Sequence, residues 1–108
     1  MPNRKTLQKL ALACALVATT VMAQTPYDEG QKSLRSQDWM EAVGHFKEAT
    51  RDDESPADAA TYWMAYAYFK AGRRNEGERE LRRLERNYPE SPWVKEAQAL
   101  RIEDRKST

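Results

Sequence analysis

The apolar positions of this chain recur at helical rather than strand spacing. Tyr27, Gly30 and Leu34 lie three and four residues apart and form one thin face. Trp39, Ala42, Val43, Phe46 and Ala49 make a fuller stripe, which ends in the acidic run Asp52-Asp53-Glu54. The third segment is the most aromatic, with Tyr62, Trp63, Tyr66, Tyr68 and Phe69 before Gly72. A fourth carries Gly77, Leu81, Leu84 and Tyr88 on one face and stops at Pro89; a fifth aligns Trp93, Ala97 and Leu100. No stretch alternates with period two, so the pattern predicts an all-α fold.

The polar residues between these stripes supply starts and stops. Thr25-Pro26, Ser55-Pro56 and Ser91-Pro92 each read as an N-cap followed by proline at the first helical position. Asp28, Glu29 and Asp58 fall in first turns, where a carboxylate meets the positive end of the helix dipole. Asp38 with Glu41 reads as a capping box, and Asn75 as the cap of the fourth helix. Gly72 marks the turn between the third and fourth helices, and the charged residues from Glu103 to Thr108 are expected to fray.

The stripes repeat. Ala42, Phe46 and Ala49 superpose on Gly77, Leu81 and Leu84 at an offset of 35 residues. The same offset places Tyr27 on Tyr62, Gly30 on Ala65, Leu34 on Phe69 and Gln37 on Gly72, small on small and large on large. Small residues at Gly30/Ala65 and Ala42/Gly77 let paired helices approach closely, and Phe46 and Leu81 fill the space beside them. A helix–turn–helix unit recurring near this period is the mark of a helical repeat.

With the repeat go Tyr62-Trp63-Met64-Ala65, the Gly72 turn and Asn87-Tyr88-Pro89-Glu90-Ser91-Pro92. On these residues the chain resembles exported bacterial tetratricopeptide-repeat (TPR) modules. The type is that of the periplasmic protein associated with the Tol–Pal envelope system and of outer-membrane assembly lipoproteins. It is also similar to TPR segments that precede longer HEAT-type regions. Glu29 and Ser33 depart from the usual apolar slots. The resemblance implies a short TPR-type α-solenoid: repeats at about 25–54 and 55–90, and a capping helix at about 91–103. It also implies that the first helix of each pair lines a concave face, here Tyr27, Gln31, Leu34 and Arg35, then Tyr62, Tyr66, Phe69 and Lys70. Aromatic rings beside cations suit a peptide segment or helix that carries an acid group. Trp63, Met64 and Tyr68 are expected in the core.

Composition changes the picture at the N-terminus. Arg4, Lys5 and Lys9 precede an uncharged apolar run from Leu10 to Met22, and Val21-Met22-Ala23 offers a cleavage site. Residues 1–23 thus read as a secretory signal cut after Ala23. The residues before Cys14 do not make an acylation site, and cleavage removes the only cysteine of the chain. The expected location is periplasmic or secreted, with membrane contact no more than peripheral. What remains is one domain, 24–108, and it is asymmetric in charge. From Gln24 to Ala60 acidic side chains outnumber basic ones nine to four; from Thr61 onward basic outnumber acidic eleven to eight. That asymmetry is too mild for nucleic-acid binding. Arg79, Arg82, Arg83 and Arg86 form a stripe on the fourth helix. It reads either as a solvated face laced by Glu78–Arg82 pairing or as a contact for anionic lipid headgroups or the acidic half of another copy.

Nothing in the pattern supports catalysis. His45, the single histidine, sits on a polar edge, and no phosphate loop, nucleophile motif or metal-ligand spacing is present. The sequence therefore points to a non-catalytic protein–protein interaction module without cofactor or metal. Its partners would be envelope proteins, of Tol–Pal or outer-membrane assembly type. The alternative is a structural segment of a larger exported helical-repeat assembly, acting by stacking or self-association.

Overall fold

The computed structural model describes residues 24–107. The expected signal at 1–23, with Cys14, lies outside the described residues. The described residues form five helices and no strand: α1 (Pro26–Arg35), α2 (Trp39–Ala49), α3 (Ala57–Lys70), α4 (Arg74–Asn87) and α5 (Trp93–Ser107). None of them is long and apolar enough to cross a membrane. Each helix from α1 to α4 packs on the next in sequence, and α5 packs on both α3 and α4. The last helix runs past the expected end near 103 to Ser107, through residues expected to fray. Asp104 and Arg101 on its final turns are tied to α4, and that anchoring holds the helix together.

The two tight turns are built alike, one repeat apart. After α1, the Gln37 N–H donates to the Leu34 carbonyl and the Asp38 N–H to the Ser33 carbonyl. After α3, Gly72 donates to Phe69 and Arg73 to Tyr68, the same pair of bonds shifted by 35 residues. This pattern closes a helix with one residue in the left-handed region. Gln37 has φ +61° and Gly72 φ +81°. Glycine adopts that conformation without penalty, whereas Gln37 carries some backbone strain.

These closures explain two departures from the expected caps. A capping box at Asp38 needs its backbone N–H for the Glu41 side chain, but that N–H is engaged by Ser33, and Asp38 makes no side-chain cap bond. Arg73 occupies the equivalent slot, so α4 begins at Arg74, directly after the turn, and Asn75 lies inside it. Ser55 also does not cap: its hydroxyl donates to Asp52 Oδ2 at 2.7 Å, and α3 starts at Ala57. Thr25 does cap, with Asp28 returning the bond to complete a capping box. Ser91 accepts from the Trp93 N–H at 3.1 Å and opens α5.

The core has two centres. Ala42, Val43, Phe46, Ala49, Ala60, Met64 and Ala67 form one between α2 and α3, with Tyr27 and Leu34 of α1 against it. Tyr62, Ala65, Leu81, Leu84 and Ala97 form the other, covered by Trp93 and Leu100 from α5. Trp63 touches both. Fully buried side chains such as Phe46, Leu81 and Leu84 each contribute roughly 1.5–3 kcal/mol.

Volume is traded between the repeats. A Cβ on Gly30 would stand 2.6 Å from the Phe46 ring, and a Cβ on Gly77 would stand 3.0 Å from Phe69. In the other repeat these pairs become Ala65 with Leu81 and Ala42 with Leu34, so the larger ring always goes with the glycine. Close packing requires such compensation.

Candidate functional site

The aromatic residues of α3 are arranged by the period of the helix. Ala60, Met64 and Ala67 face α2, Tyr62, Ala65 and Phe69 face α4 and α5, and Trp63 and Tyr66 lie along the edge between. On that edge the rings form a continuous series. Trp39 meets Tyr66 edge-on at 6.3 Å between centroids, and Tyr66 meets Trp63 at 5.3 Å. Trp63 meets Tyr62 at 5.0 Å and Trp93 at 5.8 Å. Edge-to-face contacts at these distances are favourable and hold each ring in one orientation. Lys70 Nζ stands 5.5 Å from the Tyr66 ring centroid, within cation–π range.

Two hollows open beside this edge. One, of about 290 Å³, lies between α3 and α5 and is lined by Tyr66, Phe69, Lys70, Leu100, Glu103 and Asp104. The other, of about 430 Å³, is bordered by Tyr62, Trp63, Pro92, Trp93 and Glu96. Both combine aromatic surface with carboxylates on the α5 side.

Three of the expected groove residues, Tyr66, Phe69 and Lys70, are thus brought together. Tyr66 and Phe69 are half-buried and Lys70 is exposed. Phe69 has a second task, since its ring packs over Gly77. Tyr62, expected in the groove, is 8 % exposed, with Trp93 tilted over it at 4.9 Å. Trp63, expected inside, packs against both cores and is half-buried on the edge. The physical reason is α5: its first residue lays an indole over Tyr62 and turns that position into core. Burial, with the Glu96 carboxylate adding to it, pushes the Tyr62 hydroxyl above its ordinary range. The indole N–H of Trp63 is buried and has no acceptor among the described residues.

The α1 residues are placed elsewhere. Tyr27 is half-buried and edge-on to Phe46 at 5.7 Å, so it anchors α1 to the first core. Leu34 packs against the same core. Gln31 is half-buried and Arg35 exposed, and neither lines the two hollows. The hollows depend instead on Leu100, Glu103, Asp104, Trp93 and Glu96. The signal that could have found them is the Ser-Pro start of α5, which repeats that of α3 and makes α5 the counterpart of α3 one unit later.

Among the described residues there is no group of three histidine, cysteine or carboxylate side chains able to hold a metal ion. His45 faces Glu41, its Nε2 3.7 Å from the carboxylate, on a partly exposed helix side. The shallow trough between α3 and α5 is lined by rings, a lysine and carboxylates. Comparison with known proteins finds no family model, curated protein or solved structure that matches this chain.

Proposed function

We propose that this chain is a non-catalytic interaction module of TPR type, a short exported α-solenoid of the cell envelope. In this reading it receives a peptide segment of another envelope protein between α3 and α5. The observation that carries it is the open trough floored by Tyr66 and Phe69, with Lys70 over Tyr66 and carboxylates on the facing helix. The two turns with matching bonds and a left-handed residue at Gln37 and Gly72 support a repeat architecture. Lys70 suits an acid group on the incoming segment, and the rings supply apolar area worth roughly 25 cal/mol per Å² buried. Partners of Tol–Pal or outer-membrane assembly type follow from the sequence resemblance.

A photo-cross-linking residue at position 66, with position 82 on α4 as control, tests the trough in cells. Adducts to one partner segment at 66 and not at 82 are expected, with their loss in a Lys70→Ala background. Equal adducts at both positions would reject the trough as the binding site. Phe69 is unsuitable for this test because its removal leaves a void over Gly77. A second reading, stacking of further helices on α5, is favoured by Ile102, an apolar side chain 49 % exposed on the last helix. Cross-links concentrated at position 102 would select it.

A further inference from the structure

Arg79, Arg82, Arg83 and Arg86 are all exposed on α4. At 100° per residue they occupy a sector of about 100° and a length of about 10 Å. The sequence offers neighbouring carboxylates, which would make this face an ordinary mixed-charge surface. The fold takes most of them away. Arg101 on α5 donates its Nε–H to Glu78 at 2.6 and 2.8 Å, and its two terminal nitrogens to Glu85 at 2.6 and 3.0 Å. Glu78 is therefore turned toward α5 and does not meet Arg82. Glu76 is drawn to Arg73 at 3.3 Å. Arg83 keeps Glu80 at 3.6 Å, with its own side chain half exposed, and Arg82 remains within electrostatic reach of Glu85.

The remaining face is cationic and without an apolar side chain. None of the four arginines lines either hollow beside α3, and the face has nothing to insert into a protein core. Four guanidiniums in a short row suit an anionic surface that is flat and laterally continuous. Phosphodiester headgroups accept the paired N–H bonds that guanidinium offers. None of the four lines the trough between α3 and α5, so contact through them leaves the trough open.

We infer that this face of α4 docks the protein reversibly onto a membrane surface containing anionic phospholipid. The attachment is electrostatic, and salt weakens it because exposed charges are screened beyond a Debye length of about 8 Å at physiological ionic strength. The inference is independent of the trough.

The test is co-sedimentation of the full chain with vesicles of phosphatidylcholine alone and of phosphatidylcholine mixed with phosphatidylglycerol. Comparing variants of one chain leaves every other cation in place. Preference for the anionic vesicles is expected at low salt and should fall at least about tenfold when all four arginines are replaced by glutamine. Replacing all four by lysine should retain most of it. Because the four side chains are exposed, both variants should keep the helical circular dichroism of the parent. An unchanged preference in the glutamine variant would overturn the inference, as would equal loss in the lysine variant. Concentration-dependent self-association that the glutamine variant abolishes, without any vesicle preference, would overturn it in favour of contact with the acidic half of a second copy.

Discussion

The Ser91 hydroxyl donates to Asp58 Oδ2 at 2.6 Å and so joins the starts of α5 and α3, 33 residues apart. The same oxygen accepts from the Trp93 N–H, so one side chain both caps α5 and fixes it beside α3. Ser91→Ala should destabilise the fold by about 1–2 kcal/mol, through loss of a cap and of a bond to a carboxylate. Urea unfolding measures it. In a double-mutant cycle with Asp58→Ala the two effects should be less than additive; strict additivity would show that the bond contributes nothing.

Gly30 and Phe46 form a matched pair. Gly30→Ala brings a methyl against a ring that is fully buried and cannot swing out. The overpacking should cost about 1–3 kcal/mol, partly offset by about 1 kcal/mol of better helix propensity. Phe46→Leu alone should also destabilise, by leaving a void. Together they reproduce the Ala65–Leu81 pair of the second repeat, and the double variant should unfold at a higher temperature than either single one. A double variant below both singles would show that the two repeats do not pack alike.

Acid stability should depend on Arg101. Hydrogen bonds from Arg101 hold the Glu85 carboxyl below its ordinary value of 4.5, and bonds to Glu85 and Glu78 in turn hold the guanidinium above its usual range. Arg101 therefore stays charged throughout. The unfolded chain takes up the Glu85 proton at higher pH than the folded one, so this contribution is complete above pH 4.5. It is lost as pH falls through the depressed value. Arg101→Gln should lower stability at neutral pH by about 1–3 kcal/mol, through loss of partly buried charge-assisted bonds. The difference from the parent should shrink below that window. A constant difference down to full acid unfolding would reject the linkage.

Removal of α5 should abolish cooperative unfolding. Without it Tyr62, Leu81 and Leu84 lose the cover of Trp93, Ala97 and Leu100. Stacked helical pairs depend on such neighbours for a continuous core. A chain ending at Pro89 should show a broad, shallow thermal transition by circular dichroism. A sharp transition near that of the parent would show that the two hairpins stand alone.

Helix number, helix period and the 35-residue repeat are properties of the sequence alone. Each rests on local spacing: the stripe from Trp39 to Ala49, the same stripe around Gly77 and Leu81, and the turn residues between them. The Ser91 cap and the Thr25 start were legible for the same reason, since a cap involves residues two or three apart. The failures at Asp38, Ser55 and Asn75 arise where a local signal meets a competing bond. The Asp38 N–H can be used once, and the turn closing α1 takes it.

The aromatic block that dominates the chain shows the other half. Its composition marks α3 as the central helix, but not which rings stay open. Tyr62 is buried and Trp63 lies half-buried on the edge because Trp93, 31 residues after Tyr62, comes to lie over one side of α3. The charges on α4 follow the same rule. Their spacing reads either as a laced face or as a contact surface, and Arg101 takes Glu78 away from Arg82 by drawing Glu78 and Glu85 to the α5 side. Local spacing determined the helices; the docking of α5 decided which of their side chains remain available to a partner, because only a distant segment can supply the competing contact.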